Sequence, residues 1–196
     1  MERSRKELSL QRKYIILYIG AHGISHGLSS VIEAARLLHE QEENIHFLFV
    51  GEGAVKDNLC NLATKMHLKN ITFLPGQPKE KMRSFYNLAD VCLVPLRNIP
   101  LFKTFIPSKM FEIMGCGRPI LASLEGESAE ILKQSEGAVI IPPEDSNKMS
   151  QGILMLVRDK ERCLALGDKG RKFVFENFDR TLLARKYLQL MEEVTA

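Results

Sequence analysis

The sequence predicts an α/β domain in which a six-stranded parallel sheet lies between two layers of helices. Three observations lead there. Short apolar runs rich in β-branched and aromatic residues alternate with longer stretches of helical periodicity, the first run is apolar at every position and the second at all but His46, and both are followed by glycine. A strand apolar on both sides is covered on both sides, as happens when crossovers lay helices over each face of a parallel sheet.

Taken in order, Tyr14–Ile19 is the first such run, and Gly20 stops it. After a loop over residues 21–26, Leu28, Val31, Ile32, Ala35 and Leu38 recur at helical spacing, with Glu33, Arg36 and Glu40 elsewhere on the wheel. Ile45–Val50 gives the second strand, and Gly51-Glu52-Gly53 turns it into a helix ending near Met66. Strands follow at Ile71–Leu74, Val91–Pro95, 120–122 and Ala138–Ile141. Helices are predicted between them at Lys79–Leu88, 107–114 and 128–134, with an irregular loop at 96–105. Pro142 and Pro143 then break the chain before three helices near 148–158, Lys160–Asn177 and 181–194, the last capped by Asp179. Consecutive parallel strands need right-handed crossovers, and ligands of such sheets bind beyond the carboxyl ends of the strands, where strand order reverses. That rule directs attention to the loops after the first, second and fourth strands.

At 196 residues the chain has the size of one domain, and no apolar run approaches the roughly 18–20 residues that span a bilayer. The first thirteen residues carry Arg3, Arg5, Lys6, Arg12 and Lys13 against Glu2 and Glu7, which accounts for the whole net charge of +3. The neutral body argues against nucleic-acid binding, which needs basic residues gathered over a folded face. Residues 1–13 read as a solvated linker or short helix, with contact to a membrane surface or an acidic partner as the alternative. No apolar core of a signal peptide follows them, so the expected compartment is the cytoplasm. Cys60, Cys92, Cys116 and Cys163 lie far apart without ligand spacing and read as reduced cysteines. No metal site is expected.

The loop after the first strand has glycines at 20, 23 and 27 and opens a helix, so its N–H groups could meet an anion; a tight turn that needs glycine explains it equally well. His22 and His26 lie in this loop, where neither is forced into a core, and contact to phosphate or hydroxyl groups is the expected role. The second strand leads into Gly51 without the closing carboxylate that holds ribose in dinucleotide enzymes, which argues against a nicotinamide cofactor.

Residues 107–112 say more. Pro107 suits a first helical turn, leaving the N–H groups of Ser108 and Lys109 without intrahelical acceptors. Glu112 stands three residues after Lys109 and four after Ser108, so the three share a face, opposite Met110, Ile113 and Met114. A hydroxyl, a cation and free amides suit a diphosphate, and a carboxylate one turn further in suits vicinal hydroxyls. An ordinary helix with one Lys–Glu pair fits the same spacing.

Seven segments, in order, resemble the carboxy-terminal domain of glycosyltransferase family 4, whose members have the two-domain GT-B fold. They are Tyr18-Ile-Gly with His26-Gly-Leu28 and Glu33-Ala-Ala35; Phe49-Val-Gly-Glu-Gly53; Asn70-Ile-Thr-Phe-Leu-Pro75; Ala89-Asp-Val91; Pro107-Ser-Lys with Glu112 to Pro119; Ile141-Pro-Pro-Glu-Asp145; and Gly170-Arg171 with Glu176-Asn-Phe178. Pro107-Ser-Lys109 with Val94-Pro-Leu96 looks most like the branch that assembles bacterial surface polysaccharides, including fucosamine-transferase-like proteins. The resemblance implies a Rossmann-like domain over residues 14–180 that holds a nucleotide-sugar donor, a carboxy-terminal helix at 181–196, and an acceptor domain preceding Met1. It also implies transfer with retention and no obligatory metal, a UDP-sugar rather than a GDP-sugar as donor, and peripheral association of the full-length protein with the inner face of the membrane. Glu112 matches the ribose-binding glutamate, and Ser108 and Lys109 match the diphosphate-facing helix start. Gly20, His22, His26 and Gly27 fall in the first glycine loop; Gly51, Gly53, Pro75 and Gln77 fall near the base.

Two departures stand out. Where the family has a sugar-contacting glutamate eight residues before Glu112, this chain has Thr104, and where the first loop of the family carries arginine and lysine it has His22 and His26. Lys109, Lys103 and Arg97 are then the cations available to a diphosphate. Rival readings are a nucleotide-binding regulatory or scaffold module that has lost transfer, and a GT-B-like sugar-nucleotide epimerase.

Overall fold

The computed structural model describes residues 2–195, and its centre is a sheet of six parallel strands in the order β3-β2-β1-β4-β5-β6. These are β1 (Tyr14–Ile19), β2 (Ile45–Val50), β3 (Ile71–Leu74), β4 (Val91–Pro95), β5 (Ile120–Ser123) and β6 (Ala138–Ile141). Every neighbouring pair is parallel, with β1 in register with β2 from Tyr14 against Ile45 to Ile19 against Val50. The α/β class and the strand count follow the sequence reading.

Alternate residues of the central strands feed two cores. Ile15, Leu17, Ile19, Cys92 and Val94 face one side, where they meet α4 (Lys79–Leu88), α5 (Lys109–Gly115), α6 (Glu127–Ser135) and α8 (Lys160–Asn177). Ile16, Tyr18, Phe47, Phe49, Val91 and Leu93 face the other, under α2 (Leu28–His39), α3 (Lys56–Lys65) and α7 (Ser146–Arg158). The apolar runs of the central strands therefore serve two cores at once. Asp145 and Asp159 cap α7 and α8 by accepting from the N–H groups of Lys148 and Arg162, and Asp179 accepts from Thr181 and Leu182 at the start of α9 (Arg180–Thr195).

Differences from the sequence reading lie at the ends of elements. The helix after Gly53 starts only at Lys56, because the N–H of Val55 turns back to the His22 carbonyl at 3.1 Å. The helix expected from residue 107 starts at Lys109, and the loop at 96–105 contains a 3₁₀ turn over Pro100–Thr104. The leading segment is docked rather than solvated. It carries a helix, α1 (Glu2–Glu7), after which Leu10 is buried against the core. Arg5 donates to the carbonyls of Lys13 and Leu88 and to Asp90 at 2.8–3.0 Å, and Asp90 also accepts from the Ile15 amide at 2.7 Å. One arginine thus ties the approach to β1 to the loop before β4. At the other end α9 buries no residue and exposes Leu183, Tyr187 and Met191. No helix of the described residues is long and apolar enough to cross a membrane.

Candidate functional site

Strand order reverses between β1 and β4, which are neighbours in the sheet although two strands separate them in sequence. The loops leaving their carboxyl ends diverge there and open a cleft of about 450 Å³. Gly20, Ala21 and His26 form one wall, Ser108, Lys109 and Glu112 of the α5 start form the other, and Gln77 and Tyr86 close the end nearer α4.

Lys109 dominates this cleft. Its side chain folds back across the mouth of β1, setting Nζ 4.1 Å from the centroid of the Tyr18 ring. Nζ is buried and has no hydrogen-bond partner among the described residues. Burial pushes its pKa down to about 8, against an upward pull from Glu112. Gly20 makes this position accessible: a Cβ there would stand 2.7 Å from Nζ. Tyr18 is held beneath the ammonium by donating to the Ala21 carbonyl at 2.6 Å, and burial raises its phenol pKa beyond any working pH. A buried ammonium with aromatic support and no hydrogen-bond or ion-pair partner among the described residues is a group prepared for an anion.

Glu112 stands one turn further along α5, exposed to the cleft. Tyr86, itself buried, donates to Glu112 Oε2 at 3.0 Å, which fixes one carboxylate oxygen and leaves the other for a ligand. Burial and then the neighbouring Glu112 charge push the Tyr86 phenol strongly upward, so it stays protonated and remains a donor. Met110, Ile113 and Met114 anchor the opposite face of α5 in the core, as the helical spacing predicts. Serine, cation and carboxylate therefore share the cleft side of one short helix.

A backbone zipper holds the first loop in place. Gly20 N donates to the Val50 carbonyl and His22 N to that of Glu52, at 2.9 and 2.8 Å. The approach is so close that a Cβ on Gly51 would lie 1.9 Å from the Gly20 oxygen. Gly53 meets the His22 backbone in the same way. Glu52 then accepts from Lys56 at 2.9 Å and from the Gly76 amide at 3.1 Å, linking the loops after β2 and β3.

The sequence-predicted residues separate accordingly. Gly20, His26, Gln77, Ser108, Lys109 and Glu112 line the cleft. Gly51 and Gly53 stand behind it and set the position of the first loop, while Pro75 accepts from the Gln77 side-chain amide at 3.2 Å and is not part of the cleft wall. Gly27 faces a smaller hollow of about 280 Å³ beside α3. Thr104 is exposed, donates to the Leu101 carbonyl at 3.2 Å and does not line the cleft, where its neighbour Phe105 does. Lys103 and Arg97 are engaged by Glu125 at 3.1 Å and Glu144 at 3.5 Å, which leaves Lys109 as the uncommitted cation of the three.

The histidines correct the sequence reading. Both belong to the interior: His22 is fully buried and His26 nearly so. The zipper presses His22 under the loop, against Tyr18, Phe49 and Phe73. Burial lowers the pKa of each to about 4, so both are neutral at neutral pH. His26 offers the cleft a neutral imidazole edge; His22 lines no part of it. The sequence gives no sign of the roles of Tyr18 and Tyr86, because an aromatic residue in an apolar strand or on a helix face reads as core, and the carboxylate that Tyr86 holds lies 26 residues away. Among the described residues no cluster of His, Cys, Asp or Glu could hold a metal ion.

The fold and the cleft define a parallel-sheet domain with an anion-receptive site at its topological switch point. A family model, that of glycosyl transferases group 1, matches residues 1–173, and the chain belongs to this family. Among curated relatives it is 28% identical over 189 residues to a protein of Escherichia coli (strain K12) provisionally named as the colanic acid biosynthesis glycosyl transferase WcaI, covering 94% of this chain and 44% of that one. It is 25% identical over 187 residues to the lipopolysaccharide 1,2-N-acetylglucosaminetransferase of Salmonella typhimurium, covering 91% and 48%. Among solved structures, sucrose-phosphate synthase from Thermosynechococcus elongatus superposes with a TM-score of 0.85 at 25% identity, over 100% of this chain and 49% of that one. Anabaena HepE, crystallised with UDP and glucose, superposes with a TM-score of 0.83 at 14% identity, over 97% and 51%. The chain thus spans about half the length of the relatives it matches.

Proposed function

We propose that the chain is the donor-binding half of a retaining glycosyltransferase that moves a sugar from a UDP-activated donor to a glycan or lipid-linked acceptor. The observation that carries this reading is the buried, unpartnered ammonium of Lys109 in a cleft whose next polar group is Glu112, held by Tyr86. In this reading Lys109 and the amides of Ser108 and Lys109 receive the diphosphate, and Glu112 accepts from the ribose hydroxyls. Gln77 meets the base, and the neutral His26 edge faces the sugar. Charge grows on the diphosphate as the glycosyl bond breaks, so a cation already desolvated and in place stabilises the transition state without reorganising. Thr104, set back from the cleft, leaves the sugar without the carboxylate contact of the family pattern.

UDP is favoured because HepE, a neighbour in fold, was crystallised with it. GDP is the second reading, favoured by a relative in Mycolicibacterium smegmatis named as a GDP-mannose-dependent mannosyltransferase, 22% identical over 187 residues. The acceptor would be held by a separate domain in the remaining half of a full-length enzyme, against which the exposed face of α9 is suited to pack. Residues 14–180 would form the donor domain proper and 1–13 its tether.

A thermal-shift panel of UDP, GDP, ADP and NAD tests the assignment. A nucleotide at about 100 times its dissociation constant adds roughly 2.7 kcal/mol of stability. The expected order is UDP first, GDP weaker, and no response to NAD. Stabilisation by NAD alone would rule out the donor-domain reading.

A further inference from the structure

The cleft does not end at Glu112. Beyond that carboxylate, Lys79, Met82 and Tyr86 continue its wall into a second groove of about 490 Å³ between α4, α5 and α8. The charged lining of this groove is Lys79 and Arg83 from α4, Arg171 from α8 and Arg180 at the start of α9, against the lone carboxylate of Glu112 among the described residues. None of these four cations forms an ion pair or hydrogen bond with another described residue, whereas Arg36, Lys56, Arg97 and Lys103 each have a carboxylate partner. Arg171 instead leans toward the Phe175 ring at 5.8 Å. Two of the four meet around the Cys116 thiol in the groove wall: burial raises its pKa, and Arg83 and Arg171 are among the charges that oppose that rise.

Four like charges gathered around a concave surface repel one another and raise the local concentration of anions. Guanidinium groups bind phosphate through paired donors, and a phosphate, with up to two charges and several acceptor oxygens, can engage more than one of them at once. We propose that this groove is a second anion site, distinct from the cleft at Lys109, and that it takes a phosphate group. Glu112 marks the boundary, repelling a phosphate from the one side while remaining available to hydroxyls on the other. The phosphate belongs either to a small soluble molecule or to an anionic phospholipid headgroup. The assignment stands on the groove alone and does not require the donor reading of the cleft.

Inorganic pyrophosphate titrated into a Lys109→Met chain, in which the cleft has lost its own cation, is expected to bind saturably. Adding Arg83→Gln and Arg171→Gln should weaken that binding by about tenfold or more, with charge-retaining Arg83→Lys and Arg171→Lys restoring part of it. Both arginines are exposed, and unchanged circular dichroism of the variants shows that the fold is kept. Sedimentation with phosphatidylcholine vesicles, with and without phosphatidylglycerol, separates the sources. Retention that needs phosphatidylglycerol and is lost in the double arginine variant assigns the phosphate to a lipid headgroup; pyrophosphate binding without such retention assigns it to a soluble molecule. If neither probe is held, or if both are held equally by the double arginine variant, the groove is not an anion site. UDP binding by that double variant of the otherwise native chain is read separately, so a failure of the donor assignment is not mistaken for a failure of this one.

Discussion

Tyr86 and Glu112 are joined across two helices by a 3.0 Å hydrogen bond, with the phenol buried and the carboxylate facing the cleft. That bond turns a flexible surface glutamate into a group of fixed direction. Removing the donor with Tyr86→Phe keeps the ring in the core and frees Glu112 to rotate. Loss of one hydrogen bond to a charged group costs about 1–2 kcal/mol, hence roughly a five- to thirtyfold loss in UDP affinity by calorimetry. A UDP analogue without its 2′ and 3′ hydroxyls should bind both forms equally, which a merely structural role of Tyr86 would not produce.

Lys109→Met exchanges stability for binding. An unpaired buried ammonium destabilises the fold, and a side chain of similar shape without charge relieves that cost. The variant is expected to be about 1–3 kcal/mol more stable at neutral pH, a rise of a few degrees in Tm for a chain of this size. Because the pKa of Lys109 is depressed from 10.5 to about 8, the unfolded chain binds the extra proton between those values. The stability of the parent therefore rises with pH over that window, and the advantage of the variant shrinks there. Urea unfolding at neutral pH and near pH 10 measures both effects.

The same depressed pKa governs ligand affinity. A diphosphate prefers the charged ammonium, so UDP affinity should be level below about pH 8 and fall above it, by at most about tenfold per unit. Titrations at a series of pH values locate the break, and Lys109→Arg, which does not titrate in this range, should remove it.

Acid stability has a separate origin in His22, His26 and His46, whose pKa values burial lowers to about 4. Each is neutral in the fold and charges more readily in the unfolded chain. Stability is therefore complete above about pH 6.5 and falls as pH drops from there toward 4, by up to ~1.4 kcal/mol per unit for each histidine. Replacing His22 by Phe among Tyr18, Phe49 and Phe73 should flatten part of that slope, as denaturant midpoints between pH 7 and pH 4.5 would reveal.

Gly51→Ala tests the zipper that holds the first loop. Its Cβ would meet the Gly20 carbonyl oxygen, and backbone cannot yield as a side-chain tip does. A loss of about 2–3 kcal/mol is expected, together with weaker UDP binding as Gly20 is displaced from Lys109. Gly115→Ala, where a Cβ meets nothing within 4 Å, is the control and should change neither.

Most of the fold was legible because five of the six β-strands announce themselves twice, by an apolar run and by the glycine or proline that ends it; β5, followed by Leu124, has only the run. β3, α4, β4 and β6 match the sequence reading residue for residue. A short helix at α1 was one of the sequence readings, but its docking was not legible, because its charged residues carry no apolar stripe and its anchoring depends on Arg5 reaching Leu88 and Asp90, far away in sequence. In the site, the spacing of Ser108, Lys109 and Glu112 revealed their shared face. It could not reveal that Lys109 would be buried over Tyr18, or that Tyr86 would hold Glu112. Polarity likewise misled for His22 and His26, since a loop of glycines that zips against its neighbour buries what a free loop would expose.

The most direct test of the central claim is a calorimetric titration of UDP into the native chain and into Lys109→Met at neutral pH. The account predicts saturable binding at one site by the native chain and loss of that binding in the variant, which should fold and melt no lower than its parent. UDP binding that survives Lys109→Met unchanged, or a native chain that binds no uridine or guanosine diphosphate at all, would contradict it.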